Sequence, residues 1–134
     1  MSAAAGLSVG IDLVRVSRVA ESLERFGERY LRRVFTDAEI AYATSAPGEA
    51  ATRLAARFAA KEAAFKALRL ADSMAWRDIE VRRTPTGACD LVFHGAVGRA
   101  ALASGVEEAA VSLSHEGDYA TAVVVTRMGA PRPS

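Results

Sequence analysis

Strict alternation opens the chain. Within the alternating stretch 6–13, Leu7, Val9 and Ile11 fall on one side and Ser8, Gly10 and Asp12 on the other, predicting a short strand that ends at Asp12. From Val16 the period lengthens. Val16, Val19, Leu23, Phe26 and Tyr30 recur at steps of three and four, giving one apolar helical stripe that Gly27 divides in two. Thr36-Asp37-Ala38-Glu39 carries a capping-box signature and predicts a new helix start. Ala46-Pro47-Gly48 ends that helix. Residues 49–70 form the longest predicted helix, with Leu54, Phe58, Phe65 and Leu68 toward the core. Its many alanines suit helix propensity and close packing.

After Asp72-Ser73 the period becomes two. Ile79 and Val81 mark one strand and Leu91, Val92 and Phe93 another, joined by a turn at Pro85-Thr86-Gly87. Residues 95–104 read as a short alanine-rich helix stopped by Gly105. Residues 111–115 and 119–125 are two strands around the hairpin turn Glu116-Gly117-Asp118. Residues 128–134, with two prolines, read as a frayed tail. No repeat of twenty to fifty residues is present. The expected class is α+β, an antiparallel sheet with helices packed on one face. One domain is expected over 1–134, with a core of about 6–126.

Charge excludes a global basic field for nucleic acid: 17 Lys plus Arg stand against 16 Asp plus Glu. Locally, Arg15, Arg18, Arg25, Arg29, Arg32 and Arg33 crowd the first quarter, interleaved with Glu21, Glu24 and Glu28. Such a face is either solvated or a dock for an acidic partner. Cys89 is the single cysteine, so no disulfide forms within the chain. No apolar run approaches the ~18 residues of a membrane span, and residues 1–6 are too short for a signal peptide. The expected location is the cytoplasm.

Three motifs carry candidate chemistry. Gly10-Ile11-Asp12 places an acid at a strand end beside a glycine that permits close backbone approach. In Arg57-Phe58-Ala59-Ala60-Lys61-Glu62-Ala63-Ala64-Phe65-Lys66, Glu62 and Lys66 share one helical face, and Arg57 and Lys61 share a neighbouring one. That pattern by itself fits first a solvated pair contributing about 0.3–0.5 kcal/mol; the alternative is a divalent metal held beside a phosphate. Ser112-Leu113-Ser114-His115 puts a histidine near a hairpin, a structural or a catalytic position.

In this order and spacing the three motifs resemble the phosphopantetheinyl transferases, most closely the short holo-acyl-carrier-protein synthase type. The strand Tyr119-Ala120-Thr121-Ala122-Val123-Val124-Val125 and the segment Trp76-Arg77-Asp78-Ile79-Glu80-Val81, taken as the middle strand, also look like theirs. The resemblance spans residues 7–126. It implies transfer of the phosphopantetheine arm of coenzyme A to a serine of a fatty-acid or polyketide carrier protein, releasing adenosine 3',5'-bisphosphate. It implies Mg2+ on Asp12 and Glu62, and Lys66 on the transferring phosphate. Arg57, Lys61 and His115 match positions near the nucleotide and its phosphates. Arg18 matches the carrier-docking arginine, with Arg25 two turns later, for an acidic helical carrier. The proton of the serine goes to Glu62 or to water on the metal. A homotrimer with sites between subunits is implied as well. The family's glycine-threonine-glycine turn is replaced by Leu68-Arg69-Leu70-Ala71-Asp72-Ser73, and its glycine-basic-proline turn by Gly87-Ala88-Cys89. The second turn reads as structural; the first loss keeps open a non-catalytic module of the same fold that only binds coenzyme A or a carrier.

Overall fold

The computed structural model describes residues 6–129. Its first strand, β1 (Leu7–Arg15), continues beyond the predicted end at Asp12 and hands over directly to α1 (Val16–Phe26). Gly27, at φ 54°, breaks the apolar stripe into α1 and α2 (Glu28–Val34). Such a φ suits glycine, which has no Cβ to clash. Thr36 caps α3 (Asp37–Thr44) with both halves of the expected capping box. One 3-10 turn, Pro47–Glu49, then leads into α4 (Ala50–Leu68), so the long helix is slightly shorter than predicted.

The segment read as a middle strand begins with a 3-10 turn, Trp76–Asp78, before β2 (Ile79–Arg83). β3 (Cys89–Phe93), α5 (Gly95–Ala103), β4 (Val106–Glu116) and β5 (Tyr119–Met128) complete the order. β4 and β5 are longer than the apolar runs that announced them, because antiparallel pairing carries on into polar positions. Met128 therefore belongs to β5; residues 130–134 of the expected tail lie outside the described residues.

The strands form two antiparallel sheets, not one. The larger has the order β1-β5-β4, and β2 and β3 make a separate hairpin. Helix α4 lies across the larger sheet and is the centre of both apolar clusters. Its alanines 59, 60, 63 and 64 are wholly buried. Small side chains let the helix axis sit close to the strands. Closest of all is the approach at Gly10, where an added Cβ would lie 2.0 Å from the Ala63 carbonyl oxygen. Ser8 Oγ, two residues earlier, donates to the Ala67 carbonyl at 2.7 Å.

This contact fixes which way β1 faces. The small and polar set, Ser8, Gly10 and Asp12, lies against α4. The apolar set faces out: Leu7 is 51% exposed, Val9 64%, Ile11 63% and Leu13 63%. Among the described residues, no helix is long and apolar enough to cross a membrane.

Candidate active site

Asp12 stands two residues beyond the Gly10 contact, on the side of β1 that meets α4. Its register partner is Ala122 on β5, and its carbonyl accepts a 2.7 Å hydrogen bond from Thr121 Oγ1 of the same strand, so β5 holds this end of β1 through backbone and side chain. Lys66 reaches across from α4. Its Nζ lies 3.2 Å from Asp12 Oδ1 and donates to the Ile11 carbonyl at 2.8 Å. Glu62 sits one turn earlier on the same helix. The anticipated Glu62–Lys66 ion pair is not among those formed, because the lysine bonds to β1 instead.

Glu62 is half-buried. Burial raises its pKa above the ordinary value, and the negative charge of Asp12 raises it further. The Trp76 indole N–H and the Lys66 charge pull it back in part. Two carboxylates from segments fifty residues apart thus share one electrostatic environment, with an ammonium drawn to it. Carboxylate oxygens are the donors that a hard cation takes. Among the described residues, no three His, Cys, Asp or Glu side chains gather closely enough to hold an ion by themselves. Substrate oxygens and water would supply the remaining ligands of an ion held by one or two carboxylates.

Lys61 requires a correction. It is next to Glu62 in sequence but is turned into the core, with no exposed surface. Its Nζ lies 2.7 Å from Glu39 Oε1 and donates to the carbonyls of Trp76, at 3.2 Å, and of Ile79. Burial pushes its pKa down, against the upward pull of Glu39. Successive helical residues point about 100° apart. When Glu62 faces the cleft, Lys61 therefore faces the packed interior, and it is not a phosphate ligand.

Arg57 and His115 both line a different cleft of about 590 Å3, between α4, β4 and the β2–β3 turn. Arg57 is 6% exposed, and its Nε is buried without a hydrogen-bond partner. The guanidinium groups of Arg53, Arg57 and Arg83 lie 4.2, 4.3 and 5.4 Å from the centre of the Tyr42 ring. Ser112 and Ser114 line the same cleft. It is a strongly cationic recess, and it shares no lining residue with the cleft of Glu62 and Lys66. Within one chain the structure does not bring the two groups together.

The profile of the 4'-phosphopantetheinyl transferase superfamily matches residues 8–124. A holo-[acyl-carrier-protein] synthase of Koribacter versatilis is 46% identical over 121 residues, covering 89% of this chain and 96% of that protein. The chain belongs to the 4'-phosphopantetheinyl transferase superfamily. A Chronobacterium ammoniagenes ACPS–CoA complex superposes on the transferase with a TM-score of 0.82 at 34% identity, covering 92% of this chain and 98% of that one. The acyl carrier protein synthase of Mycobacterium tuberculosis gives 0.72 at 36% identity, with 91% and 97% covered.

On the transferase, Arg18 is exposed on α1 and lines a groove that also contains Asp12, Tyr30 and Phe58. Arg25 is in the last turn of α1, its guanidinium 5.5 Å from the Phe26 ring centre. Both predicted docking arginines therefore lie on one exposed helix, and Arg18 is the nearer to the acids. Tyr42, Arg53 and Arg83 were not anticipated. Arg53 is four residues before Arg57, so helical spacing alone could have found it. Tyr42 and Arg83 arrive from separate elements, and nothing local in the sequence marks them.

Proposed function

We propose that this chain is a holo-acyl-carrier-protein synthase that moves 4'-phosphopantetheine from coenzyme A to a serine hydroxyl of an apo carrier protein. Adenosine 3',5'-bisphosphate is the other product. The observation that carries this reading is the meeting of Asp12, Glu62 and Lys66 where β1 crosses α4.

Attack of an alcohol on one phosphorus of a diphosphate needs alignment and charge neutralisation more than a covalent protein intermediate. Asp12 and Glu62 would hold Mg2+, whose preference for hard oxygen ligands they meet. When bound, the ion neutralises diphosphate charge. Lys66 binds the transferring phosphate, and Asp12 already orients its ammonium. Arg57 and His115, with Tyr42, Arg53 and Arg83, bind the nucleotide end. Arg18 and Arg25 meet an acidic carrier of fatty-acid or polyketide type, where ion pairs mainly speed encounter and set orientation.

The cationic cleft and the acid–lysine cleft are separate within one chain, so the complete site forms between subunits of a homotrimer. The outward row of Leu7, Val9, Ile11 and Leu13, continued by Val125 at 39% exposure, supports this assembly. A contiguous apolar sheet face is costly to leave in water. We place the activity in the cytoplasm.

The test is direct. The protein is incubated with apo carrier, coenzyme A and magnesium, and the carrier is weighed by intact mass spectrometry. A phosphopantetheine mass gain is expected. It should vanish in Asp12→Ala and Glu62→Ala proteins that retain their far-ultraviolet circular dichroism. Absence of any gain on several carriers would leave only a binding module, and full activity in either variant would remove the assigned metal ligand.

A further inference from the structure

Arg69 is the one non-glycine residue among the described residues with a positive φ. Its φ of 54° and ψ of 46° place it in the left-handed region, directly after the last residue of α4. The Arg69 N–H bonds to the Lys66 carbonyl at 3.3 Å, and the Leu70 N–H bonds to the Phe65 carbonyl at 3.1 Å. These bonds close the helix end, and the backbone alone makes them. Glycine fits this position without a clash between Cβ and backbone, so nothing about ending the helix calls for arginine.

The side chain does not compensate locally. It is exposed, and it forms no ion pair or hydrogen bond among the described residues. It lines the cleft that also contains Glu62, Lys66, Arg33 and Asp72. A conformation that L residues resist is thus maintained at the rim of the proposed site, with an unpaired guanidinium. Observed strain of this kind supports a functional assignment.

We infer that Arg69 is a second cation, beside Lys66, for the diphosphate of coenzyme A, an assignment that rests on the transferase reading above. A guanidinium presents paired N–H donors that match two phosphate oxygens at once. Lys66 supplies a point charge from the last turn of α4, and Arg69 supplies a fork from just beyond it. The phosphate addressed is the one on the pantetheine side, which adenosine 3',5'-bisphosphate lacks.

Calorimetric titration of wild type, Arg69→Gly and Arg69→Lys with both ligands tests this. Arg69→Gly should unfold at a higher temperature than wild type, since the helix end is relieved. It should bind coenzyme A about tenfold more weakly, the loss typical of a charged hydrogen bond, and adenosine 3',5'-bisphosphate within about twofold of wild type. Arg69→Lys should fall between, retaining the charge but not the fork. Unchanged coenzyme A affinity in Arg69→Gly would overturn the assignment, as would equal weakening of both ligands. A wild-type protein that transfers nothing, while Arg69→Gly weakens coenzyme A binding and spares adenosine 3',5'-bisphosphate, would sink the catalytic reading and leave this one standing.

Discussion

Replacing Lys61 by methionine separates the core from the chemistry. The side chain keeps similar length and loses its charge. In the structure Lys61 and Glu39 are both fully buried and 2.7 Å apart. Glu39 also accepts from the Val81 N–H at 2.8 Å and the Thr36 N–H at 2.8 Å, so it ties α3 and β2 to α4. Removing one partner of a buried pair costs about 3–5 kcal/mol, because the other charge is left in a low-dielectric interior. Whole domains of this kind hold about 5–15 kcal/mol. With a urea dependence of about 2 kcal/mol per molar, the Lys61→Met midpoint should fall by about 1.5–2.5 M. The double variant Glu39→Leu/Lys61→Met should recover part of that loss, since no lone charge remains. Urea unfolding followed by circular dichroism at fixed protomer concentration measures both, with transfer assayed on the folded fraction. A Lys61→Met protein with a wild-type midpoint and weakened coenzyme A binding would refute the reasoning. It would place this lysine at the phosphates instead of the core.

Gly10→Ala should destabilise by about 3 kcal/mol or more, because its Cβ meets backbone, which cannot move aside as a side chain does; a wild-type melting temperature would show that β1 and α4 are not so close. Glu62→Gln should lower transfer about 10²–10³-fold and yet stabilise the magnesium-free protein at pH 7. The reason is that the folded chain holds the Glu62 proton more tightly than the unfolded chain does. That contribution is complete below the ordinary glutamate value of 4.5 and is lost as pH rises through the raised folded-state pKa. Thermal scans of both proteins with chelator present measure this, and a variant less stable than wild type at pH 7 would contradict it. Arg18→Glu should raise the KM for the carrier about tenfold, the KM for coenzyme A staying within about twofold, since rim charges act on encounter; equal effects on both would remove the docking role.

Much of the fold was legible because its signals are local. The Thr36–Glu39 capping box formed as written. Gly27 broke the first helical stripe where the pattern placed it, and the period of two announced β4 and β5. The site was legible in part for the same reason. Asp12 lies at a readable distance beyond a glycine that only close helix packing demands, and Glu62 and Lys66 occupy one helical face. What local pattern could not give was which lysine reaches the cleft. Lys61 and Lys66 look alike on the page; the partner that buries Lys61 is Glu39, twenty-two positions away in sequence and supplied by a separate helix. The other members of the cationic recess around Arg57 and His115 were missed for a similar reason, because Tyr42 and Arg83 come from different elements.

The sequence alone determined the order of elements, the family signature and the candidate acids, since periodicity, caps and motif spacing are properties of neighbouring residues. Tertiary structure decided the direction each faces. Alternation along β1 says only that two sets of side chains oppose each other; hydrophobicity alone would send Leu7, Val9, Ile11 and Leu13 inward. The close fit of Gly10 against Ala63 sends them outward and turns Asp12 toward Glu62 and Lys66. A strand pattern is unchanged when its faces are exchanged, and only a packed partner breaks that symmetry.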